Sequence, residues 1–142
     1  MNPATPQAQL LSVTQVDHEL IAAAMESVHQ LFNCNSSADA AAQFTNIQLL
    51  IAKKIPQHFA YEETHVFPSL LASQPGENVA HAIVELCQEH SVLLAAGQRL
   101  SPLLAQHRPL NYTGELWPVL LEFISGLFTH TTKEDHLYKL LS

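Results

Sequence analysis

Glycine is scarce, four residues in 142, and no stretch alternates strictly between apolar and polar, so nothing in the chain asks for a β-strand. Cysteine is scarcer still. Cys34 and Cys87 are too few and too far apart for a disulfide framework and match no zinc-finger spacing, which reads as reduced thiols in a cytoplasmic protein. Basic residues are few: six Lys plus Arg against thirteen Asp plus Glu leave a net charge of −7 and no basic run, excluding a nucleic-acid partner. No uncharged apolar run approaches the roughly 18 residues of a membrane span, and the opening MNPATPQAQL lacks the basic start of a leader, so the chain is read as soluble and unprocessed. With 47% hydrophobic residues, one domain over 1–142 can bury a core, which excludes a disordered tail. Histidine is the residue in excess. There are nine, scattered rather than gathered in a tract.

Leu, Ala, Gln and Glu dominate and favour helix throughout. Breaks at 33–37, at 73–76 (SQPG) and at 107–113 (HRPLNYT) divide the chain into helices expected at 13–33, 37–73, 76–106 and 114–141, after a short flexible N-terminus over 1–11. Ser12 with Gln15 and Ser36 with Asp39 stand at or near capping-box spacing, and Thr113 offers a further N-cap. Pro56, Pro68, Pro102 and Pro118 fall inside these spans and predict kinks or shortened helices. Short connections between long helices make neighbours antiparallel, so the expected fold is all-α, an up-down-up-down four-helix bundle.

Written at three-and-four spacing, the first stripe is Leu11, Thr14, His18, Ile21, Met25, Val28 and Phe32, and the second is Phe44, Ile47, Ile51, Ile55, His58, Glu62 and His65. The third is Ile83, Leu86, His90, Leu93, Gly97, Leu100 and Leu104; the fourth is Leu116, Leu120, Phe123, Leu127, His130, Glu134, Leu137 and Leu141. Every stripe therefore carries a histidine, and two carry a glutamate one turn later. A carboxylate buried in an apolar core costs several kcal/mol unless paired or metal-bound, and no Lys or Arg lies on these stripes. Counted from the breaks at about 1.5 Å per residue, His58, Glu62, His90, His130 and Glu134 reach one level within about a turn. The first hairpin closes less well, since His58 lies farther past its break than His18 lies before it.

Imidazole with carboxylate suits iron, manganese or zinc, and two bridging glutamates would hold a pair of ions with places left for an oxygen bridge and an outside molecule. Composition alone leads to about 0.8 His-to-acid pairs at i,i+4, so any one of the three present is weak testimony. His81 with Glu85 is the instructive case, because it is expected on the solvent side. Around the candidate ligands, His65 is expected in an outer layer or at the bundle rim, and Tyr61 and Cys87 lie three positions from a ligand, near enough to touch the site. Trp117 and Tyr112 suggest a contact surface for a homodimer.

The motifs resemble the hemerythrin-like family, the HHE cation-binding domain, over nearly the whole chain. The most specific piece is HFAYEETHVFPSL at 58–70; DHELI at 17–21, EHSVLL at 89–94 and HTTKEDHL at 130–137 are similar to the remaining family motifs. The resemblance implies a non-haem di-iron centre with an oxo or hydroxo bridge, held by His18, His58, Glu62, His90, His130 and Glu134. Oxygen-carrying members place two histidines four apart on the third helix, whereas Leu86 and Leu94 flank His90 here. The four-histidine set is similar to that of proteins that repair iron-sulfur centres after nitrosative or oxidative stress, which usually carry an extra N-terminal domain that these 142 residues have no room for. The reading is thus a di-iron protein that binds or senses oxygen, nitric oxide or peroxide, or handles iron under stress. The alternatives are a redox enzyme or iron donor for cluster repair, and a metal-free structural bundle.

Overall fold

The computed structural model describes residues 6–32, 37–106 and 116–141. Among the described residues there are helices and no strands: α1 (Pro6–Phe32), a rod made of α2 (Ser37–Leu49), α3 (Ile55–Tyr61) and α4 (Phe67–Ser73), then α5 (Glu77–Gln106) and α6 (Leu116–Leu141). Four rods packed side by side form the expected bundle. α1 begins at Pro6, well before the Val13 start read from the sequence, so positions 6–11 are helical rather than a flexible lead and Ser12 lies inside the helix. The cap readings at Ser36 and Thr113 lie outside the described residues, as do Cys34 and Tyr112. No helix among the described residues is long and apolar enough to cross a membrane.

Two π-turns join the pieces of the second rod, Leu50–Lys54 and Glu62–Val66, and each is followed by a proline. Proline has no N–H to offer the carbonyl four residues back, and the backbone answers by widening one turn, so that Ile55 N–H bonds Leu50 O and Phe67 N–H bonds Glu62 O. Pro56 and Pro68 therefore change the helical register where kinks were expected. A widened turn gains less height per residue, so Leu50–Lys54 absorbs part of the mismatch in the first hairpin. Pro102 is carried within α5 without ending it, and Pro118 sits in the first turn of α6.

The stripes read from the sequence are the buried faces over most of their length. Two apolar clusters result: a large one running from Ile21 and Val28 through Ile47, Ile55 and Phe59 to Leu100 and Leu127, and a small one of Val66, Phe67, Leu70, Ile83, Leu86 and Tyr138. Between them lies a polar layer of buried histidines and glutamates. Trp117 is buried in the core with its ring edge-on to Phe44 at 6.1 Å, which removes it from any contact surface.

Candidate metal centre

His18 comes from α1, His58 from α3, Glu62 from the π-turn that follows, His90 from α5, and His130 and Glu134 from α6. All six side chains are buried, both glutamates fully. They form two groups that share the carboxylates: His18 and His58 with Glu62 and Glu134, and His90 and His130 with the same pair. Within each group the candidate ligand atoms lie within 4.8 Å of one another. The six residues singled out by stripe, five of them also by level and His18 by stripe alone, are thus brought to one place.

The aim of these atoms tests whether a metal fits. His58 Nε2 lies 3.1 Å from Glu62 Oε1, and His18 Nε2 and His130 Nε2 each lie 3.2 Å from Glu134 Oε1. Despite that closeness, His18 Nε2, His58 Nε2, His130 Nε2, Glu62 Oε1 and Glu134 Oε1 have no hydrogen-bond partner. Buried polar atoms almost always find one, so five orphans crowded together mark a place built for something with charge to share among them. Each of these atoms lies within 4.8 Å of the other candidate ligand atoms in its group, close enough to share one ion. A divalent or trivalent cation fits this donor set.

The opposite nitrogens of the same rings are all engaged. His18 Nδ1 lies 2.6 Å from Asp135 Oδ1, His58 Nδ1 3.0 Å from Asp17 Oδ2, His90 Nδ1 3.2 Å from Glu63 Oε1 and His130 Nδ1 2.8 Å from Glu89 Oε1. With Nδ1–H donating to a carboxylate, Nε2 keeps its lone pair for the interior, which fixes tautomer and ring orientation together. The four pairs close a circuit. Each acid is the chain neighbour of an inward residue (Asp17 of His18, Glu63 of Glu62, Glu89 of His90, Asp135 of Glu134), and each serves the histidine of the next rod around the bundle. Neighbours in a helix point about 100° apart, so a residue beside one aimed at the centre faces the adjacent helix. Lys133 anchors one link, holding Glu89 at 2.5 Å and Glu85 at 2.7 Å.

Aromatic rings lock the layer. Phe59 stacks on His90 at 3.8 Å and Phe67 lies nearly parallel to it at 5.7 Å. Tyr138, whose own position on the fourth stripe had gone to Leu137, is buried and donates its hydroxyl to Glu62 Oε2. His65 is exposed and packs against Tyr61 at 5.1 Å, which corrects its placement near the site. The cause is the π-turn, which carries the inward face from Glu62 to Val66 and Phe67 and swings His65 out. Tyr61 is half-buried and lines a groove with Asp17 and His58. Cys87 reaches the outer carboxylate Glu63; its burial, with Glu63 adding to it, raises the thiol to about 11, so it stays protonated at neutral pH. His81 is exposed, as expected, and so is His136.

Charge in the metal-free chain follows from this geometry. Burial disfavours the protonated rings, but Glu134, helped at His18 by Asp135 and at both by Glu62, outweighs it and raises His18 and His90 to about 9. Glu134, opposed by its burial, is nevertheless held well below the usual carboxylate range by His130, His18 and His90. A raised histidine stabilises fully below its unfolded value of 6.5 and loses that as the pH climbs through 9; a depressed glutamate stabilises fully above 4.5 and loses that as the pH falls below it. The chelated protein is therefore expected to melt highest between pH 4.5 and 6.5 and lower by pH 9. Melting curves across that range check it, and a Tm that kept rising to pH 9 would contradict it.

A family model described as the hemerythrin HHE cation-binding domain matches residues 12–141. No curated protein and no solved structure gives a match.

Proposed function

Because the chain belongs to the hemerythrin family of HHE cation-binding domains, we propose that it holds two iron ions in the buried layer and uses them to bind oxygen, nitric oxide or peroxide in the cytoplasm. His18 and His58 would hold one ion, His90 and His130 the other, with Glu62 and Glu134 shared. The observation that carries the reading is the set of orphaned inward atoms on five of these six side chains. When bound, an iron pair supplies redox-active Lewis-acid sites at which a small oxygen- or nitrogen-centred ligand can sit. The chain contributes the rest. Outer acids hold each Nδ1 proton so that Nε2 faces inward, Phe59 and Phe67 fix the His90 ring, and the two apolar clusters keep bulk water away.

Zinc and manganese suit the same donors, so iron is supported by the family and not by geometry alone. The test is an anaerobically reduced, iron-loaded sample exposed in turn to oxygen, nitric oxide and peroxide, followed by visible absorption. A distinct spectral change with at least one of the three is expected. A spectrum indifferent to all three would remove the ligand-binding function, and transfer of the iron to a cluster-free acceptor would favour the donor role instead.

A further inference from the structure

The middle of the outer α5–α6 face is bare of charge, in a chain whose net charge is −7. Between Glu89 and Arg99 on α5, and between Glu122 and Lys133 on α6, the only titratable side chains are His90 and His130, both buried. Halfway along this stretch Val92 and Phe128 project outward, 68% and 62% exposed. They stand at one level, because in this antiparallel pair Glu89 meets His130 and Leu93 packs against Gly126. A cleft of about 400 Å³ runs between the helices here, lined by Val92, Leu93, Gly126 and Thr129 and reaching Glu89 and His130.

Opposite charges flank that apolar centre at matched distances. On α5, Glu85 lies seven residues before Val92 and Arg99 seven after it, two turns and about 10 Å to either side along one line of the helix. On α6, Glu122 lies six residues before Phe128 and Lys133 five after it, an eleven-residue interval that also returns to one side. All four charged side chains are exposed.

We propose that two copies of the chain meet through this face, packed antiparallel about a two-fold axis at the level of Val92 and Phe128. Such an axis lays α5 on α5 and α6 on α6 and sets Val92 and Phe128 each against its own counterpart. It also brings Arg99 over Glu85, and Glu122 over Lys133, of the second copy. A two-fold contact has to be self-complementary, and opposite charges equally spaced about an apolar centre meet that condition on both helices. Net charge favours the same occupant, since two copies at −7 repel each other except where a face is neutral or its charges are matched. The contact closes the cleft over Glu89 and His130, and so shields that side of the buried layer from water. It does not depend on what the layer holds.

The test is sedimentation of the full chain as wild type, Arg99→Glu and Glu85→Arg, each alone and the two variants mixed in equal amounts. Wild type is expected to dimerise, and more weakly as salt rises, because the flanking pairs are exposed. Each variant alone sets like charges together at both ends of α5 and should raise the dimer Kd at least about tenfold. The mixture matches the charges again at both ends and should associate about as tightly as wild type. Val92→Glu puts an acid against its own counterpart on the axis and should also dissociate the dimer; it decides the matter if a charge variant loses its helical circular dichroism. A wild type that stays monomeric even at about 1 mM would overturn the inference and leave the face to a different protein. Dimers that survive the substitutions, or a mixture that stays monomeric, would overturn it as well.

Discussion

Glu134→Ala is expected to empty both metal positions, with a loss of affinity greater than the 10- to 100-fold typical of removing an outer partner of a metal ligand. Glu134 belongs to both groups and approaches His18, His90 and His130, so no position survives its loss intact. His130→Ala is the comparison, because it strips only one group and should leave His18, His58 and both glutamates to hold one ion. Metal titration of the two variants checks the difference. The metal-free structural bundle makes a different forecast: neither wild type nor variant takes up metal, and Glu134→Ala is destabilising because it leaves His18, His90 and His130 buried without their shared carboxylate.

Stripping the metal should have the next largest effect. An ion that binds only the folded chain, at a thousand times its Kd, adds about 4 kcal/mol of stability per site. In a chain of this size each kcal/mol moves Tm by roughly 3–5 °C, so chelation is expected to lower the melting temperature by at least about 10 °C. Adding iron back under anaerobic conditions should restore it. Protons offset part of the loss: His18 and His90, raised to about 9 by the glutamates when no metal is bound, give up theirs as the ion enters and regain them when it is stripped. Equal melting of the chelated and the iron-loaded protein would count against any metal at this place.

The bundle and the inward set were legible because both follow from one period. At 3.6 residues per turn, His90 and Leu93 must share a face with Leu86, and a glutamate four residues past His130 must share its face too. What the stripes could not show is what lies beside them. Asp17, Glu63, Glu89 and Asp135 point toward the neighbouring helix rather than the centre, so a search for inward residues passes over them. Their signal was nevertheless in plain view as the doublets Asp17-His18, Glu62-Glu63, Glu89-His90 and Glu134-Asp135. His65 was misplaced for a different reason, since regular helical spacing holds only until a proline forces a wider turn, and Pro68 forces one across Glu62–Val66. Tyr138 was missed because the last turn of α6 buries position 138 where the stripe had taken Leu137. Trp117 lies near a chain break in sequence yet belongs to the core in space, which sequence proximity alone does not reveal.

Metal content, read together with an aerobic visible spectrum on untagged protein after anaerobic iron loading, tests the central claim most directly. Two groups of ligands sharing two carboxylates predict about two irons per chain and the charge-transfer bands of an oxygen-bridged pair. A colourless protein that retains no metal would contradict the account, leaving a helical bundle whose buried histidines and glutamates answer only to one another.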